Sequence, residues 1–348
     1  DIEFMKKKFS LLAVTLLTLS LVLAGCSSSS DKKTDTKKTT IGFVTDTGGI
    51  DDKSFNQSTY EGIKRFVDES TTTRSSSYIQ SKGDADYESN LTALVDSKND
   101  LIVAAGYLFD ASMATVSKKF PDSKFLVIDT VVANSNVVSA TFAAEQGSFL
   151  VGVAAALKAK EMGKTKVGFI GGMESELIIS FESGFAQGVK AVDATLGVEV
   201  EYAGAFDNAA AGQTIASKMY SSGISIIYHA AGGTGAGAIK EARERAAKNE
   251  EVYVIGVDRD QYADGIYSGE KSVILTSMLK RVDNVAYDVS KTVEEGKFEG
   301  GKTLTYDLKN NGVGIPDKNP NLSDEIVAQV KAYAEKIKSG EITVKATR

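Results

Sequence analysis

The chain has 348 residues, of which 42% are hydrophobic and 25% charged, and its formal net charge at pH 7 is −6. This length suits two domains better than one small core, and the acidic balance gives no electrostatic footprint for binding nucleic acid. The single cysteine, Cys26, and the single histidine, His229, exclude an internal disulfide and a cysteine-based metal site and leave little room for histidine-based acid–base chemistry. Composition therefore argues against an enzyme without excluding one.

The first segment of the chain is typical of an exported protein. Three lysines follow Met5, an apolar run extends from Phe9 to Leu23, and Ala24-Gly25-Cys26 comes next. A basic start, a short apolar core and small residues indicate a secretory signal peptide, and the run is too short to be read as a spanning helix. We assign residues 1–25 to this leader and to the four residues before Met5.

The sequence Leu23-Ala24-Gly25-Cys26 resembles the lipobox of bacterial lipoproteins. The resemblance implies that Cys26 carries the lipid and becomes the mature N-terminus, with an ordinary signal peptide and a stray cysteine as the alternative. Residues 26–40 are Ser, Asp, Lys and Thr almost throughout, which predicts a flexible tether between the lipid and a folded body. Two acyl chains on such an anchor are enough for stable membrane attachment.

From Ile41 onward, short apolar runs alternate with segments of helical spacing. One such helix carries Tyr60, Ile63, Phe66 and Val67 on one face, with Asp51, Asp52 or Ser54 available as its N-cap. Strands alternating with helices of this length predict an α/β protein with parallel sheets covered on both faces, and ten strands fit two sheets better than one. The predicted strands are Ile41–Val44, Ser77–Gln80, Leu101–Ala105, Lys124–Ile128, Val137–Ala140, Lys166–Ile170, Val198–Ala203, Ile224–Tyr228, Val252–Val257 and Ser272–Thr276.

An alanine-rich helix predicted over Glu145–Lys160 marks the border between two lobes. We predict an N-terminal lobe of residues 41–143 with about 266–303, and a C-terminal lobe of residues 144–265 with about 304–348. The strand Ser272–Thr276 and a helix over Asn284–Glu294 would then return to the first lobe. Several crossings of this kind would make the connections a hinge.

Polar and aromatic residues follow one predicted strand after another. In open parallel sheets, ligands bind just beyond the carboxyl ends of the strands, so these residues are candidates for one cleft. A single acid at such a place is usually a helix cap, but acids from both halves of the chain are better explained by a shared site. The residues that follow predicted strands include Asp46, Phe55, Asn56, Gly106, Tyr107, Asp129, Phe206, Asp207, Gly232, Asp258 and Lys280.

Several longer motifs resemble one family. They are Gly42-Phe43-Val44-Thr45-Asp46 with Asp51 to Gln57, Glu145 to Gly152, His229 to Gly235, Gly256-Val257-Asp258 and Thr276 to Lys280. In this order, and with the lipobox, they resemble the basic membrane lipoproteins, the PnrA-like purine nucleoside-binding proteins of ABC transporters. The resemblance implies a type I solute-binding fold, in which two Rossmann-like lobes close on a ligand about a hinge.

The resemblance also implies roles for the candidate residues. Phe55 and Phe206 would sandwich a purine, and Asp129 and Asn56 would hydrogen-bond the base. Asp46, Asp258 and Lys280 would hold the ribose, and a backbone N–H at Gly232 or Gly233 would approach the ligand closely. The partners implied are an adenosine-, guanosine- or inosine-type nucleoside, an ABC permease and a membrane reached through the lipid. We expect a monomer on the extracytoplasmic face of the cell membrane, with no cofactor and no catalytic activity.

Other readings of these residues remain open. A sugar-binding protein of the same fold would also use acids and aromatics, and an adhesin-like surface lipoprotein or an exported oxidoreductase or hydrolase belongs to a different class. Gly233, Gly235 and Gly237 imitate a dinucleotide fingerprint, but their spacing is G-x-G-x-G rather than G-x-G-x-x-G. His229 has no second histidine for metal or triad chemistry, so we predict a packed or hinge-lining residue.

Overall fold

The computed structural model describes residues 37–348, which form one compact unit of two lobes. The predictions for the leader, for Cys26 and for most of the tether lie outside the described residues. The first strand begins at Thr39, so the last two residues assigned to the tether belong to the first sheet.

The described residues contain fourteen strands. In chain order they are β1 (Thr39–Val44), β2 (Arg74–Ile79), β3 (Leu101–Ala105), β4 (Phe125–Ile128), β5 (Val137–Phe142), β6 (Lys166–Gly171), β7 (Gly197–Tyr202), β8 (Ile226–Ala230), β9 (Tyr253–Asp258), β10 (Ile266–Ser268), β11 (Lys271–Ser272), β12 (Ile274–Lys280), β13 (Thr303–Tyr306) and β14 (Val313–Gly314). All ten predicted strands correspond to strands of this set.

Nine α-helices connect and cover these strands within the described range. They are α1 (Phe55–Asp68), α2 (Tyr87–Asp96), α3 (Asp110–Lys119), α4 (Ala144–Glu161), α5 (Glu176–Val192), α6 (Ala209–Ser221), α7 (Gly233–Ala246), α8 (Val282–Glu294) and α9 (Asp324–Lys338). Short 3₁₀ turns lie at Asp84–Asp86, Tyr107–Phe109 and Tyr262–Gly265.

The first lobe has a fully parallel sheet in the order β13-β5-β4-β3-β1-β2, and the second has the order β14-β12-β9-β8-β6-β7, in which only β14 is antiparallel. Helices α1 and α8 pack together in the first lobe, as do α2 and α3, and α4–α5 and α6–α7 pair in the second. Separate apolar cores therefore cover both faces of each sheet, as parallel strands require. This arrangement confirms the predicted α/β class with two mostly parallel sheets.

Two expectations about the lobes were wrong. The strand predicted at Ser272–Thr276 overlaps the end of β11 and the start of β12, and β12 pairs in parallel with β9 in the second sheet rather than returning to the first. Conversely, β13 pairs with β5 at the edge of the first sheet, although residues from about 304 were assigned to the second lobe. Apolar runs reveal that a strand exists but not which sheet edge it joins. The chain therefore crosses between the lobes after β5, after β12 and after β13.

The start of α1 shapes the loop that faces the second lobe. Ser54 occupies the N-cap position but makes no side-chain cap hydrogen bond. Instead, the Asp52 carboxylate accepts hydrogen bonds from the backbone N–H groups of Ser54, Asn56 and Gln57 at 2.8–3.1 Å. Of the three proposed caps, Asp52 performs the capping.

Candidate functional site

A cavity lies between the lobes at the carboxyl ends of strands from both sheets. The first lobe contributes Asp46, Gly48, Asp52, Phe55, Gly106, Tyr107 and Asp129, and the second contributes Leu177, Ile178, Phe181, Phe206, Ala230, Ala231, Gly232, Val257, Asp258 and Lys280. The space between these atoms, counted out into the open solvent, is about 500 Å³. This is the position at which open α/β sheets bind ligands.

Seven of the eight predicted binding residues line this cavity, and Asn56 is the exception. Its side chain is buried behind the wall, where Asn56 Nδ2 donates to Asp46 Oδ1 at 2.7 Å and to Asp52 Oδ2 at 3.1 Å. Asn56 Oδ1 also accepts from the Asp46 backbone N–H at 3.2 Å. These hydrogen bonds show that the Asn56 side chain orients the two acids and does not line the cavity.

Aromatic rings enter the cavity from both lobes. Phe55 is the first residue of α1, Phe206 follows β7, and Phe181 lies on α5. The ring of Tyr107 meets that of Phe206 edge-on, with centroids 6.4 Å apart. Sequence reasoning missed Phe181, because nothing in an ordinary amphipathic helix indicates which apolar side chain will face a cleft.

An ion pair joins the two lobes inside the cavity. Lys280, the last residue of β12, places Nζ 2.6 Å from Asp129 Oδ2, and both side chains are at most 3% exposed. The same Nζ lies 5.0 Å from the ring centroid of Phe55 and 5.4 Å from that of Phe181. Asp129 Oδ1 has no hydrogen-bond partner among the described residues, so one buried acceptor faces the cavity unmatched.

Burial raises the pKa of two further acids that line the cavity. Burial raises the pKa of Asp46 from 3.8 to about 7, against the lowering effect of hydrogen bonds from Asn56 and from the Gly48 N–H. Burial likewise raises the pKa of Asp258 to about 7, although the Lys280 charge acts to lower it. Each acid can therefore either accept or donate a hydrogen bond near neutral pH.

Equivalent strands of the two sheets end in the same kinds of residue, an acid or a glycine. Asp129 follows β4 and Asp258 ends β9, which hold the same place in their sheets. Both acids have a left-handed φ of 70°, which is uncommon outside glycine and concentrates at functional sites. The glycines after β3 and β8, Gly106 and Gly232, also have positive φ, and there a side chain would strain the backbone.

The geometry offers nothing for metal or triad chemistry within residues 37–348. No group of three potential metal-ligating side chains occurs in that range. His229 lies in β8 with no exposed surface, and its Nε2 is 2.8 Å from Gln261 Oε1. Burial lowers the pKa of His229 to about 4, so the ring is neutral at pH 7. It is a packed residue, in agreement with the sequence prediction.

Comparison with known proteins identifies the class to which this cleft belongs. The family described as ABC transporter substrate-binding protein PnrA-like matches residues 38–348. The chain belongs to this family. The "CD4+ T-cell-stimulating antigen" of Listeria monocytogenes is 42% identical, over 98% of this chain and 99% of that protein. The "ABC transporter nucleoside-binding protein BmpA" of Lactococcus lactis is 38% identical over the same shares.

A solved structure supports the same conclusion for the fold. An ABC transporter solute-binding protein from Aeropyrum pernix K1 is 27% identical and superimposes with a TM-score of 0.79, covering 89% of this chain and 94% of that one. The type I solute-binding fold is therefore confirmed. The PnrA-like chain is a substrate-binding protein of an ABC transporter, which places it on the extracytoplasmic side in association with a membrane. Within the part of the chain that the structure describes, no helix has the length and apolarity to span a membrane.

Proposed function

We propose that this PnrA-like protein captures a purine nucleoside between its lobes and delivers it to a membrane permease. One observation carries the proposal: a single cavity combines phenylalanines from both lobes with buried carboxylates from both lobes. Flat aromatic faces suit a base, and carboxylates suit hydroxyl and ring N–H donors. The relative from Lactococcus lactis named as nucleoside-binding supports the same ligand class.

The base would lie between Phe55 and Phe206. Stacking on an aromatic ring contributes without reading a particular base edge. Selectivity would come from Asp129, whose unmatched Oδ1 can accept from a ring N–H. A purine that presents such a donor, as guanosine and inosine do, satisfies this buried acceptor.

The ribose would be held by Asp46 and Asp258, with Lys280 beside them. Hydroxyl groups both donate and accept, so they pair with a carboxylate or with its protonated form. Gly232 lets the backbone come close to the sugar because no side chain intervenes. Asn56 supports this part of the site by orienting Asp46.

The charge of the cavity favours an uncharged ligand. Four acids line it, namely Asp46, Asp52, Asp129 and Asp258, against one lysine that is already paired with Asp129. A phosphate group would enter without a free cation, which is costly in a buried site. We therefore expect nucleosides to bind in preference to nucleotides.

Delivery would follow from closure of the lobes around the ligand, with the closed form recognised by the permease. A lipid on Cys26 and the polar tether after it would keep the monomeric body near the membrane. No cofactor and no bond-making step enter this mechanism.

Titration calorimetry of the purified protein with guanosine, inosine, adenosine, uridine, ribose and guanosine 5′-monophosphate tests the proposal. Purine nucleosides should bind most tightly, and the monophosphate should bind weakly. Binding of free ribose as tight as that of nucleosides would instead favour a sugar-binding protein of the same fold. Mass spectrometry of any ligand released on denaturation gives an independent identification.

A further inference from the structure

A buried glutamine outside the ligand cavity connects the two lobes. Gln261 follows β9 in the second lobe and has no exposed surface. Its Nε2 donates a 2.9 Å hydrogen bond to the backbone carbonyl oxygen of Lys53, in the first-lobe loop before α1. This bond can exist only when the lobes are together.

The orientation of the Gln261 amide is fixed by its own lobe. Gln261 Oε1 accepts from the Val257 backbone N–H at 3.0 Å, and this N–H can only donate. The oxygen must therefore lie on that side, and Nε2 must face Lys53. His229 Nε2 lies 2.8 Å from the same oxygen and, because the ring is neutral, donates its one N–H there. The Gln261 backbone N–H donates to Ser277 Oγ at 3.1 Å, which holds the residue in place.

The loop that Gln261 contacts carries the aromatic wall of the site. Lys53 has a left-handed φ of 60°, and Phe55 begins α1 two residues later. Asp52 keeps this turn rigid by accepting three backbone hydrogen bonds. A hydrogen bond to the Lys53 carbonyl oxygen therefore fixes the position of Phe55 relative to the second lobe.

Neighbouring contacts show that the two loops meet at this point. A Cβ on Gly233 would lie 3.5 Å from the Gly48 carbonyl oxygen and 3.9 Å from Asp52 Cα. Arg259 and Glu61 form an ion pair at 3.5 Å across the same boundary, but both are partly exposed and so contribute little. Gln261 supplies the buried bond at this boundary.

We infer that Gln261 is a positioning residue that latches the lobes closed over the ligand, with His229 and Val257 holding its amide in the productive orientation. The inference rests on the proposed function for the identity of the ligand, but the latch itself does not touch the ligand. The hydrogen bond from Gln261 determines how long the closed form lasts. Its loss should therefore be seen in ligand release more than in ligand capture.

Gln261→Glu, assayed at about pH 9 so that the buried carboxyl is ionised, is the sharpest test, because the carboxylate keeps an acceptor for Val257 and His229 and loses the donor to Lys53. Stopped-flow kinetics with guanosine should show a dissociation rate about tenfold faster, the effect of losing one buried hydrogen bond, with the association rate within about threefold of wild type. Gln187→Glu is the matched control. Gln187 makes the same kind of amide bridge to a backbone, through the N–H and carbonyl of Lys345, but within one lobe.

Small-angle X-ray scattering, with and without guanosine, supplies a readout that does not depend on the ligand. Gln261→Glu should have a larger radius of gyration than wild type, whereas Gln187→Glu should not. A dissociation rate within twofold of wild type together with an unchanged radius of gyration would overturn the latch. If wild type binds none of guanosine, inosine and adenosine, the proposed function is refuted and scattering alone decides about Gln261. Should Gln261→Glu fail to fold, Gln261→Met removes the same donor without adding a charge.

Discussion

The buried pair of Lys280 and Asp129 gives the sharpest prediction about stability. In Lys280→Met the Asp129 carboxylate loses its cation while remaining about 3% exposed, with its second oxygen already unmatched. Removing one partner of a buried ion pair costs about 3–5 kcal/mol, because an uncompensated charge stays behind. Removing Lys280 also takes away the charge that lowers the pKa of Asp258, so that acid will be protonated at a higher pH.

Urea unfolding followed by circular dichroism measures this cost, and a double mutant assigns it to the pair. Lys280→Met combined with Asp129→Asn removes both charges while keeping a residue that tolerates the left-handed backbone. The double mutant should lose less unfolding free energy than Lys280→Met alone. Lys218→Met, which breaks the exposed pair with Glu201, is the control and should have a far smaller effect. The reasoning fails if Lys280→Met costs less than about 1 kcal/mol or if the two cavity substitutions are simply additive.

Three further predictions concern ligand affinity, helix packing and pH. Phe55→Ala removes one stacking face and should weaken guanosine binding by about 1–3 kcal/mol in calorimetry, with little change in thermal unfolding; unaltered affinity would remove Phe55 from the site. Gly62→Ala places a Cβ 2.0 Å from the Asp283 carbonyl oxygen at the α1–α8 crossing and should destabilise the protein by about 1–3 kcal/mol, measured by urea unfolding. Since the folded pKa values of Asp46 and Asp258 are about 7 against 3.8 unfolded, the folded state binds more protons between these values. Their contribution to the unfolding free energy should therefore fall as pH rises from about 4 to about 7, and a contribution rising over that window would contradict the burial argument.

Much of the fold could be predicted because parallel strands buried on both faces produce unmistakable apolar runs. β3, for example, is Leu-Ile-Val-Ala-Ala with every residue buried, and its limits were predicted without error. The short edge strands β13 and β14 were not predicted, since they are partly exposed or only two residues long and depend on a neighbouring strand for their conformation.

The candidate site, too, could be predicted only in part from the sequence. Residues at the carboxyl ends of strands, such as Asp129 and Asp258, could be placed in one cleft from topology alone. Phe181 could not, because its role depends on how α5 packs, and the orientation of Asn56 away from the cavity depends on hydrogen bonds between side chains. The latch at Gln261 was also out of reach, because a carbonyl at Lys53 carries no sequence signal.

The matching acids and glycines of the two lobes have a consequence for how affinity can evolve. Each lobe by itself presents only half of the cavity wall, and neither lobe alone encloses a ligand. The affinity for the ligand thus depends on the equilibrium between open and closed lobes as well as on the residues that line the cleft. Substitutions in the three strand-to-lobe crossings, far from any contact with cargo, can retune uptake while leaving the choice of cargo untouched.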